Sequence, residues 1–383
     1  MSQTEAAVDI EPVEPIGEEA ELDFGPRHPA LQGLLRLKVR TDGETVFEAT
    51  PIAGHLHRGI EKLFETHAYD RNVALTDRLD LMAAATTNLA YVGAVEKLLG
   101  LVAPPRARFV RTLLAELQRL ASHLFWLAAH AGDVGAMAPV APALRGRELI
   151  LDLFESLCGA RLTLDCLRPG GLPRDLPAGW SDRCGELIDA FPGKLDEIEG
   201  LLTDNRLWKK RTVGVGVLPP EVALDHGVTG PLLRASGVAW DLRKALPYEA
   251  YAEVDFEVQV GASGDCYDRY LVRVREMRQS VGIVRQCLEK LPEGAVLARR
   301  PPGAPDAPLA ERGAEVYHGV EGPKGEVGFH LVADGTPRPY RCHVRSPSFA
   351  HLQVLPELCR GARIADLVTL IGSADIALGE ADR

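Results

Sequence analysis

The sequence predicts an α+β protein: a helical-bundle core with small antiparallel β units at its N-terminal and C-terminal ends. Three observations carry this. Apolar residues recur at helical spacing through the middle of the chain, as in Phe109, Leu113, Leu114, Leu117, Leu120, Leu124 and Leu127. Residues 34–40 alternate apolar and basic side chains ahead of the turn chemistry of Thr41-Asp42-Gly43-Glu44. Three short strand-like runs near the end are joined by Pro323-Lys324-Gly325 and Asp334-Gly335.

Residues 1–21 carry Glu5, Asp9, Glu11, Glu14, Glu18, Glu19 and Glu21 almost unopposed, which predicts a disordered acidic arm or a strap onto a partner. Residues 22–55 form the first β unit, with a hairpin of 34–40 against 46–52. The helical core spans 56–298. Its helices are predicted over 79–99, with Gly100 as the stop, then from Pro104-Pro105 onward, over 145–162, over 180–202 with Pro192 as a kink point, and over 264–291. Glycines and prolines between the last two mark loops. Residues 299–313, rich in Pro, Ala and Gly, are predicted to be a linker. Residues 314–383 hold strands over 315–320, 327–333 and 339–344. A last helix over 352–371, broken near Gly361, returns to the core.

A chain of 383 residues is long enough for a substantial core, and 46% hydrophobic with 25% charged residues is ordinary for a globular protein. A net charge of −11 leaves no basic surplus to neutralise phosphates, which argues against nucleic-acid binding. No run approaches the ~20 apolar residues of a membrane span. No secretory signal is read at the N-terminus, so a cytoplasmic location is expected. The seven cysteines never form CxxC; buried thiols are expected rather than disulfides, a structural zinc or an own iron–sulfur cluster. Gly214-Val215-Gly216 runs into Val217-Leu218-Pro219 and makes no dinucleotide fingerprint.

Chemistry concentrates in a few places. His57-Arg58-Gly59-Ile60-Glu61-Lys62-Leu63, followed by Asp77-Arg78-Leu79-Asp80, is too apolar for a solvated tail. Arg58 and Glu61 stand three apart, and Glu61 is expected to pair with Arg58 or Lys62 at a helix start. Asp133 lies among Gly132, Val134 and Gly135 and follows His130, which is expected to be a satisfied helix-end histidine. The run Asp265, Asp268, Arg269, Arg273, Arg275, Glu276 and Arg278 interleaves with Tyr267, Tyr270, Leu271, Val274 and Met277. It is expected to form an internal ion-pair network at a subunit interface rather than a solvated face.

These segments resemble the D subunit of proton-pumping NADH:quinone oxidoreductase, respiratory complex I. The resemblance rests on GPRHP at 25–29, LHRGIEKL at 56–63, HAGDVGAM at 130–137, RPGG at 168–171 and LLTDNRLWKKRTVGVG at 201–216. It continues through GDCYDRYLVRVREMRQS at 264–280, PKGEVG at 323–328, RPYRC at 338–342 and the terminal GEADR. It covers nearly everything from Leu22 to Arg383. A divergent second copy of the D subunit is one form this membership takes.

The resemblance implies a fold like that of nickel–iron hydrogenase large subunits. The two CxxC pairs that hold nickel there would fall near 80–83 and 379–383, and all four thiolates are missing, so no metal is expected. It implies a chamber for a quinone headgroup, walled by this chain and by a small neighbour that carries the terminal iron–sulfur cluster. NADH and the clusters then belong to partner subunits, and this chain binds no cofactor of its own, with quinone as substrate. The implied partners are the terminal-cluster subunit, the C subunit and membrane-arm subunits. The implied location is peripheral, on the cytoplasmic side of the cell membrane. The family's headgroup-binding histidine and tyrosine correspond to Gln32 and Leu81, with His28 in the same loop as Gln32. Gln32 donates a hydrogen bond but delivers no proton, and Leu81 does neither. The histidine near the terminal cluster corresponds to Thr163, and Arg58 is expected to tune that cluster. Asp133 survives, and Asp133 and His130 become the expected proton-handling residues. The runner-up expectation is a noncatalytic scaffold subunit of a complex I-like or hydrogenase-related membrane assembly.

Overall fold

The computed structural model describes residues 19–25, 34–298 and 310–383. The expectations for the first eighteen residues, for His28 and Gln32, and for most of the predicted linker fall outside these. The architecture is α+β. β1 (Glu19–Phe24), β2 (Arg36–Asp42) and β3 (Thr45–Ile52) form one antiparallel sheet in the order β1-β2-β3. The expected hairpin is β2–β3. The acidic arm ends sooner than expected, because Glu21 pairs with Arg40 and Asp23 with Lys38 across β1 and β2. Opposite charges across neighbouring strands turn an acidic run into an edge strand.

The helices follow in order: α1 (Ile60–Phe64), α2 (Val73–Thr76), α3 (Ala84–Leu99), α4 (Pro105–Val134), α5 (Val140–Cys158) and α6 (Trp180–Leu202). Then come the short α7 (Arg206–Thr212), α8 (Pro220–Asp225), α9 (Gly230–Ala235) and α10 (Leu242–Ala245), and the long α11 (Cys266–Glu289). β4 (Glu315–Glu321), β5 (Glu326–Ala333) and β6 (Pro339–Arg345) make the second antiparallel sheet. The chain ends in α12 (Pro347–Cys359), α13 (Leu367–Ala374) and α14 (Leu378–Ala381).

The long helices lie close to their predicted spans, with instructive exceptions. α3 starts at Ala84 rather than 79, because Asp80 caps a turn by accepting Met82 N at 3.0 Å. α5 starts five residues before its predicted span, right after the turn that Gly135 makes by ending α4 in the left-handed region (φ 91°). The predicted last helix is broken near Gly361, as expected, into α12 and α13, and α12 begins early, at Pro347, where proline suits a helix start.

α4 is the central post. It packs on α5, α11 and α13, and its apolar side chains Phe109, Leu113, Leu117, Leu120, Leu124 and Leu127 are buried in the main core. The second sheet covers α3, with Phe64, Tyr91 and Phe329 in mutual ring contact beneath it. The first sheet packs instead on α12–α14 in a separate cluster around Leu37, Val39, Leu355 and Leu370. Consequently the C-terminal residues lie against the segment that follows β3, which is where the chemistry gathers.

Candidate functional site

The 54–58 loop is held by the chain's last residues. Asp382 accepts Gly54 N at 2.8 Å and Leu56 N at 2.9 Å, satisfying backbone donors that β3 leaves behind. The expected Arg58–Glu61 pair does not form. Arg58 donates to three carbonyls instead: Leu56 O at 3.1 Å, Arg78 O at 3.0 Å and Gly379 O at 2.9 Å. Its guanidinium therefore clamps three segments while carbonyls, not a carboxylate, meet its charge. Glu61 is a separate hub, receiving Arg341 at 2.5 Å, Arg383 at 2.9 Å and Val344 N at 2.9 Å, with His343 3.1 Å away.

Leu81 follows Asp80 on the turn before α3, and its side chain is 42% exposed, an apolar group left free to line a wall. Thr163 lies apart from it, half-buried in an open cleft of about 540 Å³ shared with Asp70, Arg71, Asp77, Arg78, Asp165 and Arg168. Burial pushes the Asp77 carboxyl up to about 7, against a hydrogen bond from Asn88 and the charge of Arg78.

Asp133 sits on the last turn of α4, half-buried, and burial alone pushes its carboxyl up to about 6. It faces Gly372 of α13; a Cβ placed there would lie 3.6 Å from Asp133 Oδ2 and 2.5 Å from His130 Nδ1. His130 departs from the expectation of a satisfied histidine. It is fully buried, stacked on Trp126 with centroids 5.1 Å apart and edge-on to Trp208 at 5.4 Å, and neither ring nitrogen has a described partner. Burial, with Arg273 and Arg269 adding to it, pushes the imidazole down to about 3, so it is neutral near pH 7. Asp133 and His130 are thus adjacent but unequal: burial holds the one carboxyl above its usual range, and the ring is packed against two tryptophans.

Asp265, Arg269, Arg273 and Glu276 of the charged helix α11 are internal, as expected, and enclosed by this chain, while Arg275 is exposed. Asp265 caps α11 by accepting Asp268 N at 2.8 Å, and Asp268 accepts Ala262 N at 2.9 Å and Ser263 N at 2.5 Å. Arg269 donates to Gly216 O at 2.5 Å, Gly264 O at 3.0 Å and Ser373 Oγ at 2.8 Å. Glu276 binds His123 at 3.1 Å and Arg234 at 2.7 Å; Arg234 reaches Glu321 at 2.6 Å, and Arg243 joins Asp241 at 2.6 Å to Glu116 at 3.1 Å. Burial opposes the charge on Glu276, but Arg234 and His123 outweigh it and hold the carboxyl well below its usual range.

Sequence reasoning missed a second buried group, Lys324, Asp375 and Glu380, which meets Asp80 where thiolates were sought. Lys324 Nζ lies 2.7 Å from Asp80 Oδ2. The signal was present in a lone lysine between a proline and a glycine, and in a terminal Gly-Glu-Ala-Asp-Arg. Among the described residues no cluster of three or more His, Cys, Asp or Glu is placed to hold a metal ion, and all seven cysteines are free thiols. Among the same residues, no helix is long and apolar enough to cross a membrane.

The family described as respiratory-chain NADH dehydrogenase, 49 Kd subunit, matches residues 133–310 and 307–383, together more than half of the chain. The chain belongs to this family. It is 48% identical to the NADH-quinone oxidoreductase D subunit 2 of Thermodesulfovibrio yellowstonii, over 94% of this chain and 96% of that protein. It is 49% identical to the NADH-quinone oxidoreductase D subunit of Geotalea uraniireducens and 47% identical to that of Geobacter sulfurreducens, in both over 94% of this chain and 98% of the relative.

Proposed function

We propose that this chain is the D subunit of a proton-translocating NADH:quinone oxidoreductase. It forms the wall of a quinone-headgroup chamber beside the terminal iron–sulfur cluster of a neighbouring subunit. The observation that carries the reading is the near-full-length match to relatives named as D subunits of NADH-quinone oxidoreductase. In the assembly, NADH is oxidised elsewhere, electrons arrive through the neighbour's cluster, and the quinone takes two electrons and two protons. The C subunit and membrane-arm subunits are the further partners, and the complex sits peripherally on the cytoplasmic side of the cell membrane.

The chain's own part is positioning and proton supply. Asp133, half-buried with its carboxyl near 6, is the acid beside the chamber. Leu81 is assigned to the headgroup slot, as are Gln32 and His28, which lie outside the described residues. Arg58 keeps a positive charge at the clamped loop, which favours the reduced form of the neighbouring cluster, and Thr163 stands at the cleft near it. His130, neutral and buried, holds the last turn of α4 in place; it passes no proton as an imidazolium.

The test is the purified assembly. Asp133→Asn is expected to lower quinone reduction at least tenfold while NADH oxidation by an artificial acceptor is kept. Restoring the family's donors by Gln32→His with Leu81→Tyr is expected to raise quinone turnover. A native complex that reduces no quinone would leave a noncatalytic scaffold as the function.

A further inference from the structure

Four buried ionisable side chains converge from four separate segments. Asp80 comes from the turn before α3, Lys324 from the β4–β5 turn, Asp375 from the end of α13 and Glu380 from α14. Lys324 Nζ lies 2.7 Å from Asp80 Oδ2 and 3.9 Å from Asp375 Oδ1. Asp375 Oδ2 is 3.8 Å from Arg273 Nη2 on α11 and, although buried, has no hydrogen-bond partner. Glu380 Oε1 accepts Ser348 N at 3.1 Å and Ser348 Oγ at 2.5 Å, both from α12.

The charges do not balance. Three carboxylates face two cations, Lys324 and Arg273. Two further charged groups lie nearby and offset each other: Arg58 donates to the Gly379 carbonyl and adds a cation, and Asp382 accepts Gly54 N and Leu56 N and adds a carboxylate, so one negative charge stays in surplus. His351 on α12 is bonded to the Ala374 carbonyl and kept neutral by burial. A buried site with surplus negative charge retains a proton. Glu380 is where it rests, because its direct partner is a neutral serine and Asp80 repels its charge. Burial, then Asp80, pushes this carboxyl up to about 7. Asp80 adjoins Leu81, so the group reaches the proposed headgroup wall.

We propose that Glu380 is a proton donor of the reaction, delivering one of the two protons of quinone reduction by way of Asp80. This rests on the reading of the chain as a quinone-chamber subunit. The quinone takes two electrons from the neighbour's cluster, one proton from Asp133 and one from the Glu380 carboxyl. Glu380 is left as a carboxylate and is reprotonated from water.

The experiment is the pH profile of quinone turnover by the purified complex, with NADH oxidation by an artificial acceptor as control. Glu380→Gln is expected to lower quinone turnover at least tenfold, leave the control unchanged, and remove both the alkaline fall near pH 7 and the protonated-carboxyl infrared band that titrates there. Ser348→Ala removes a hydrogen bond that favours the carboxylate, so it is expected to move the alkaline fall to higher pH; it decides the matter if Glu380→Gln does not assemble. Unchanged pH profiles in both variants, beside a native complex that reduces quinone, would overturn the donor role alone. A native complex inert toward quinone would overturn it together with the function.

Discussion

At the residue scale, environment and not residue type separates the acids. Asp77 has a buried Oδ1 without a hydrogen-bond partner and a carboxyl raised from 3.8 to about 7. A raised carboxyl contributes stability that is complete below the unfolded value and lost as pH rises through the folded one. Asp77→Asn is therefore expected to gain stability over the native protein as pH rises from 5.5 to 8, by about 2 kcal/mol, read from thermal-inactivation midpoints of the assembly. Gly372 makes a different point. An alanine Cβ there would meet His130 Nδ1 at 2.5 Å, in a pocket closed by Trp126 and Trp208. Gly372→Ala is expected to destabilise the protein by about 1–3 kcal/mol, and to disturb Asp133 on the same turn.

At the scale of elements, the C-terminal tail acts as a latch. Asp382 and Arg383 bind the 54–61 segment from more than three hundred residues away in sequence. Asp382→Ala strands two backbone N–H groups and is expected to cost about 1–3 kcal/mol. It also loosens the loop that carries Arg58, so the neighbouring cluster is expected to become harder to reduce, as in Arg58→Met; a redox titration of that cluster in the assembly checks both. A separate tie explains why α3 starts late: Asp80 belongs to Lys324 and to its own turn, not to a helix.

Across the whole molecule, buried charge is arranged as one continuous scaffold linking α4, α9, α10, α11 and β4. Such pairs add little over a well-packed apolar core, but removing one partner leaves an uncompensated charge. Arg234→Ala, which orphans Glu276 and Glu321, is expected to cost about 3–5 kcal/mol, seen as loss of assembled complex. Glu276 and Asp241 have depressed carboxyls, so their contribution is present above the unfolded value and lost as pH falls through the folded one. With Asp77 and Asp133 losing theirs as pH rises, the stability optimum is expected between these limits.

Periodicity, turn residues and helix stops determined the α+β class, the three-stranded C-terminal sheet and the long helices, because those signals are local and act within a few residues. The absence of cysteine from 80–83 and 379–383 was equally plain in the letters. Which acid keeps its proton was not. That Glu61 takes Arg341 and Arg383 instead of Arg58, that His130 is sealed and neutral, and that Lys324, Asp375 and Glu380 meet Asp80 were decided only by the tertiary fold. Burial and the sum of nearby charges set a proton's affinity, and both depend on residues brought together from opposite ends of the chain.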